Sequence, residues 1–79
     1  MVYKTEGVCS KEIHFEIENG VISDVSFVNG CNGSLKGIAQ LVKGRRPEEV
    51  IAITSGIRCN QRPTSCPDQL AMALRKAGY

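Results

Sequence analysis

The chain has 79 residues, of which 42% are hydrophobic, and its formal net charge is +2. This length excludes a second ordinary domain and leaves a core so small that a metal or covalent cross-link would add stability. The small net charge gives no signal for nucleic acid, and without a signal peptide or a run of roughly 20 apolar residues we expect a cytoplasmic protein that does not span a membrane.

Alternating apolar and polar residues predict a β-hairpin in the first third of the chain, after a weaker strand over residues 2–8. A three-residue loop, Glu18-Asn19-Gly20, would bring the apolar side chains of both strands to one face, because a shift of one residue exchanges the faces. Gly20 would then adopt the left-handed conformation of a bulged turn. The apolar set is Ile13, Phe15, Ile17, Val21, Val25 and Phe27.

Three amphipathic segments after the hairpin predict helices. Ser34 is the expected N-cap of the first and Gly44 follows its end, Pro47 opens the second, and Ser65 caps the third with Asp68 as the acidic member of a capping box. Strands followed by helices predict an α+β fold, with three helices on one face of a small antiparallel sheet of about three strands. The predicted buried positions are Leu35, Ile38, Ala39, Val42, Val50, Ile51, Ile53, Leu70, Ala71, Leu74 and Ala77.

Four cysteines are the candidate site residues: Cys9, Cys31, Cys59 and Cys66. All four fall at predicted element ends, and two stand where a helix begins, a position that favours thiolate over thiol. In a reducing compartment such a set is more often metal-binding or catalytic than disulfide-bonded. Four thiolates form a closed zinc site or hold an iron–sulfur cluster. Their spacing lacks the C-x-x-C pairs of common zinc fingers, and the alternative is that they are small buried hydrophobic residues.

The remaining candidates are charged side chains with ordinary explanations. His14 lies between two glutamates on the polar strand face and is expected at the surface. A basic run between the first two helices is a solvated turn or a contact for an anion or an acidic partner. The two arginines that flank Cys59 either offset the charge of a thiolate cluster or are surface residues. These basic residues are Lys43, Arg45, Arg46, Arg58 and Arg62.

The string Thr64-Ser65-Cys66-Pro67-Asp68 resembles the signature after which TSCPD-domain proteins are named. Asn29-Gly30-Cys31-Asn32-Gly33 and Pro47-Glu48-Glu49-Val50-Ile51 also resemble that family, so the likeness covers residues 1–79 as one domain. The family occurs as small stand-alone proteins and as the C-terminal domain of cobalamin-dependent ribonucleotide reductases. The resemblance implies an accessory role beside a reductase or a similar protein partner, and we expect no reductase activity from this chain alone.

The order of cysteines and elements also resembles, more distantly, the IscU/NifU-type iron–sulfur scaffold, whose three cysteines match Cys9, Cys31 and Cys66. This likeness implies an IscU-like fold and a site for zinc or a cluster. Lys11 and Ser65 stand where that scaffold has Asp and His, and Cys59 adds a fourth thiolate. Because a closed thiolate shell favours tight binding over delivery, we expect zinc. An iron–sulfur carrier, or a thiol relay using Cys59 and Cys66, is the alternative.

Overall fold

The computed structural model describes residues 1–5, 11–28, 32–58 and 63–79. Within these ranges, three antiparallel strands in the order β1-β2-β3 precede three helices, so the predicted α+β fold is confirmed. Three of the four cysteines, Cys9, Cys31 and Cys59, lie outside the described residues. The elements are β1 (Val2–Lys4), β2 (Glu12–Glu18), β3 (Val21–Val28), α1 (Asn32–Val42), α2 (Pro47–Thr54) and α3 (Cys66–Lys76).

The turn between β2 and β3 has two residues, Asn19 and Gly20, because Glu18 pairs with Val21. Both turn residues have positive φ, 53° at Asn19 and 79° at Gly20, which is the combination that a type I′ turn requires. The predicted three-residue loop is therefore wrong, whereas the left-handed conformation of Gly20 is confirmed. Such a turn also suits the right-handed twist of the two strands that it joins.

A β-bulge at Ser23 compensates for the shorter turn. Ile17 pairs with Ile22 and Glu16 pairs with Asp24, so Ser23 is the extra residue in β3. The Ser23 hydroxyl donates to the Glu16 carbonyl oxygen across the bulge at 3.2 Å. An inserted residue shifts the side-chain alternation of one strand by one position relative to its partner.

The bulge decides which side chains of β3 enter the core. Beyond it, Phe15 pairs with Val25. Both side chains are buried on one face, and that shared face is as predicted. Before it, Ile22 is fully buried, while Val21 is only half-buried and pairs with a glutamate. The prediction that Val21 belongs to the core is therefore wrong, and Ile22 occupies that core position.

The helices bury one side against the inward face of the sheet, and the core joins Ile13 and Ile22 of the sheet to Val50 of α2 and to α3. α1 begins at Asn32, so Ser34 lies inside its first turn and is not its N-cap. Two predicted core positions are exposed, Ile53 and Ala77. The buried residues of α3 are Asp68, Gln69, Leu70, Ala71, Ala73 and Leu74.

The turn between α1 and α2 packs against the edge of β3. Gly44, at φ 82°, donates its N–H to the Ile22 carbonyl oxygen at 2.8 Å, and the Ile22 N–H donates to the Arg45 carbonyl oxygen at 2.9 Å. The predicted basic run therefore forms an exposed, hydrogen-bonded turn. None of the helices in the described ranges has the length and apolar character needed to cross a membrane.

Candidate functional site

The N-terminus of α3 places Cys66 as the first residue of an eleven-residue helix. Ser65 is in extended conformation and its side chain accepts the Asp68 N–H at 3.2 Å, so the predicted N-cap is confirmed. Pro67 is tolerated here because the first turn of a helix has no carbonyl partner for its N–H groups. Cys66 is half-buried in this position.

A network of hydrogen bonds, which we call the clamp, ties the end of α2 to the start of α3. The Gly56 N–H donates to Asp68 Oδ1 at 2.7 Å, and the Thr64 hydroxyl donates to Asp68 Oδ2. The Ser65 hydroxyl donates to the Ile57 carbonyl oxygen at 2.6 Å while it caps the helix. The Asp68 carboxylate therefore contacts the neighbouring helix end, and not the Ser65 N–H that a capping box would use.

The polar side chains of the clamp are almost inaccessible to water. Thr64, Ser65 and Asp68 are 7%, 4% and 6% exposed, and Gln69, at 4%, donates from Nε2 to Thr64 Oγ1 at 3.0 Å. Buried polar groups cost free energy unless they are hydrogen-bonded, and here each of the four has a partner. These residues thus fix the geometry around Cys66. Sequence reasoning missed Thr64 and Gln69, although the polar pairs Thr64-Ser65 and Asp68-Gln69 on either side of Cys66-Pro67 were a signal for such a network.

The clamp also joins the two borders of the segment that contains Cys59. Ile57 precedes that segment and Ser65 follows it, and these two residues share the 2.6 Å hydrogen bond. Because Ser65 adjoins Cys66, the described borders of the Cys59 segment converge on the helix end that carries Cys66. Cys59 itself lies outside the described residues.

The described borders of Cys9 and Cys31 meet at one end of the sheet. The Lys11 N–H donates to the Val28 carbonyl oxygen at 2.7 Å, and the Thr5 N–H donates to the Lys11 carbonyl oxygen at 3.0 Å. Thr5 and Lys11 border the segment that contains Cys9, and Val28 precedes the segment that contains Cys31. Both cysteines lie outside the described residues, so their approach to Cys66 stays a prediction.

Among the residues that the structure describes, no three His, Cys, Asp or Glu side chains are arranged to hold a metal ion. Of the four predicted ligands only Cys66 belongs to this part of the chain. A thiol at the first position of a capped helix fits a metal site chemically, because zinc prefers sulfur ligands.

The charged candidates lie at the surface. His14 Nε2 is 3.0 Å from Glu12 Oε1 in an exposed contact, as expected for a surface histidine. In the basic run, Lys43 lies 3.5 Å from Asp24 and Arg45 lies 3.7 Å from a glutamate of α2. Exposed pairs of this kind contribute about 1 kcal/mol or less. Arg58 is exposed, and Arg62 lies outside the described residues.

An apolar groove of about 340 Å³, the α1–α2 groove, lies beside the clamp. Ile57 of the clamp and Pro67, the neighbour of Cys66, line it together with side chains of α1 and α2. Leu41 and Ile53 are 71% and 64% exposed along this groove. The groove therefore adds an apolar surface to the side of the molecule that carries Cys66.

Comparison with curated proteins and with solved structures gives no significant match. A family model described as "TSCPD domain" matches residues 1–78, which is almost the whole chain. The match includes the clamp and all four cysteines. The chain therefore belongs to the TSCPD domain family.

Proposed function

We propose that this TSCPD domain is an accessory module that binds zinc through Cys9, Cys31, Cys59 and Cys66. Its partner would be a larger protein, ribonucleotide reductase or a similar enzyme. One observation carries the metal proposal: the buried clamp fixes the helix end at Cys66 and ties it to the border of the Cys59 segment. A structural metal site needs ligands that are held in place by their surroundings, and the clamp supplies such support for Cys66 and for the described borders of the Cys59 segment.

The donor set favours zinc. Four thiolates, each about 2.3 Å from the ion, complete a tetrahedral shell and leave no open position for a substrate. On this proposal the four sulfur atoms lie within about 4 Å of one another. Bound zinc would cross-link the end of the sheet near Lys11 and Val28 to the start of α3. Such a cross-link would stabilise a domain that has few buried side chains.

The proposed association with a reductase is supported by the resemblance of this chain to the TSCPD family, which implies an accessory role. Ribonucleotide reduction needs a radical source and a nucleotide pocket, and cofactors of this kind impose recognisable binding motifs, none of which we identified in the sequence. Purified protein with ribonucleotide, a dithiol reductant, and cobalamin or iron should form no deoxyribonucleotide. Stimulation of a separate reductase would support the accessory role, and turnover by this chain alone would contradict it.

A second candidate function is favoured by the position of Cys66 beside the border of the Cys59 segment. On this alternative, Cys59 and Cys66 would form a thiol relay, in which an attacking thiolate and a resolving thiol must lie within reach of each other. The same four thiolates also suit an iron–sulfur carrier, as the distant scaffold resemblance implies.

Elemental analysis of protein purified without oxygen distinguishes these functions. We expect colourless protein with one tightly bound zinc per chain, and loss of that zinc in Cys66→Ser. His14→Gln is the matched control, because it removes an exposed imidazole far in sequence from the clamp and should retain zinc. Brown protein that contains iron would contradict the zinc proposal and support the iron–sulfur carrier. Metal-free protein with titratable thiols would contradict it and support the thiol relay.

A further inference from the structure

The outer edge of β3 has two neighbouring residues whose backbone groups point away from the sheet. In an antiparallel pair, alternate residues direct their N–H and C=O groups to the partner strand. The Val28 carbonyl oxygen accepts from Lys11, so Val28 and Ser26 face β2. Val25 and Phe27 therefore direct their N–H and C=O groups outward, and no backbone hydrogen bond joins these groups to the described residues outside the sheet.

The same edge is already paired where the chain covers it. Before the bulge, Ile22 directs its N–H and C=O outward to the segment Gly44-Arg45. The Ile22 N–H donates to the Arg45 carbonyl oxygen at 2.9 Å, and the Ile22 carbonyl oxygen accepts the Gly44 N–H at 2.8 Å. The first half of the edge is thus hydrogen-bonded to the turn between α1 and α2. In the described residues its second half, at Val25 and Phe27, has no such segment.

A groove of about 480 Å³ separates this second half from α1. On the helix side its lining residues are Leu35, Lys36, Ala39 and Gln40. Leu35 and Ala39 are buried and form an apolar floor, whereas Lys36 and Gln40 are exposed at the rim. Lys36 is the charged residue of the lining, so the groove combines backbone donors and acceptors, an apolar floor and one positive charge.

We propose that an extended segment of another protein binds in this groove as a fourth strand, antiparallel or parallel to β3. Its backbone would exchange hydrogen bonds with Val25 and Phe27, an apolar side chain would rest on Leu35 and Ala39, and an acidic side chain would pair with Lys36. This is recognition by β-strand addition, in which the main chain supplies affinity and alternate side chains supply specificity. None of the residues that line the groove is a cysteine.

A second copy of this chain fits the groove less well than a separate peptide. If two β3 edges paired around a two-fold axis, both α1 helices would lie on the same face of the joined sheet, beside the seam. The Lys36 side chains of the two copies would then approach each other with like charge, which disfavours the pairing. A single extended segment occupies about 4.8 Å beside the edge and brings no helix with it.

Nuclear magnetic resonance of the full chain with a strand-forming peptide tests the proposal. The probe is acetyl-Thr-Val-Thr-Glu-Thr-Val-Thr-Glu-amide, in which Val and Glu alternate along one face of the strand. Its control is the same peptide with every backbone amide N-methylated, which keeps the side chains but removes the backbone N–H donors. We expect shifts at Val25, Phe27 and Lys36, with slower hydrogen exchange of the Val25 and Phe27 amides, from the first peptide only. Lys36→Glu should weaken binding about fivefold. Lys4→Glu, at the opposite edge of the sheet, should change it less than twofold.

Three outcomes would overturn the proposal. The first is no shift at these residues with about 1 mM peptide, a concentration at which even weak binding is visible. The second is a set of shifts confined to the α1–α2 groove. The third is exchange of the Val25 and Phe27 amides that slows as the concentration of protein alone rises, because a second copy would then occupy the edge.

Discussion

Asp68 connects two helix ends through one buried carboxylate, and this contact explains most of the family signature. Thr64 and Ser65 bond to the same network, and Pro67 is compatible with the first turn. The cap at Ser65 could be predicted because it depends on residues within one turn of helix. The Asp68 contact to Gly56 could not, because the two residues are brought together only when α2 packs on α3.

Replacing Asp68 by Ala should lower the free energy of unfolding by about 2–4 kcal/mol, since two hydrogen bonds to a charged acceptor are lost and the Thr64 hydroxyl stays buried without that acceptor. Urea unfolding followed by circular dichroism measures the change. Asp24→Ala is the control, because Asp24 is exposed and its lysine is 3.5 Å away. It should cost less than about 1 kcal/mol. Equal effects of the two substitutions would contradict the clamp.

Ser65→Ala should cost about 1–2 kcal/mol, because α3 loses its N-cap and the Ile57 carbonyl oxygen loses its donor. Combined with Asp68→Ala, the losses should sum to less than the separate values, because both residues belong to one network. The double-mutant cycle measured by urea unfolding gives this coupling. Strict additivity would mean that the two side chains act independently.

At the scale of elements, the hairpin shows how an incorrect turn prediction can still assign most apolar side chains to the correct face of the sheet. The predicted three-residue loop would pair Ile13 with Val25, whereas the two-residue turn and the bulge pair Ile13 with Phe27. The two registers differ by two residues, so both place Val25 and Phe27 on the same face of the sheet, and the apolar pattern beyond residue 24 cannot tell them apart. The apolar side chains change face only at Val21 and Ile22, where two adjacent apolar residues make the pattern ambiguous, and the prediction failed there.

Two glycine substitutions should have opposite effects on stability. Gly20→Ala should destabilise by about 1–2 kcal/mol, because φ is 79° and the space around a new Cβ is open, so the cost is conformational. Gly37→Ala, in the exposed middle of α1, meets nothing within 4 Å. It should stabilise by about 0.5–1 kcal/mol, the difference in helix propensity. Thermal unfolding compares the two, and a gain from Gly20→Ala would contradict the positive φ.

At the scale of the whole molecule, the fold class and the order of elements followed from the sequence because hydrophobic periodicity is a local property. The candidate site is different. Its four predicted ligands come from distant parts of the chain, and the described residues contain one of them, Cys66. The structure adds the clamp and the hydrogen bond between Lys11 and Val28, which hold the described borders of the segments that contain the other three cysteines.

If one metal ion joins these two supports, its removal should destabilise the whole domain cooperatively. Zinc binding to the folded state is coupled to folding, so a chelator should lower the melting temperature by well over about 10 °C. Cys66→Ser should lower it similarly. Chelator added to Cys66→Ser should then have little further effect, because the site is already lost.

The controls for this experiment separate the metal from the clamp. Asp68→Ala lowers stability through hydrogen bonds and should stay sensitive to the chelator, and His14→Gln should behave as the unsubstituted protein does. Differential scanning calorimetry with and without chelator gives all four comparisons. If the losses from Cys66→Ser and from the chelator simply add, Cys66 does not belong to the metal site. Its place at the start of α3 would then serve the thiol relay instead.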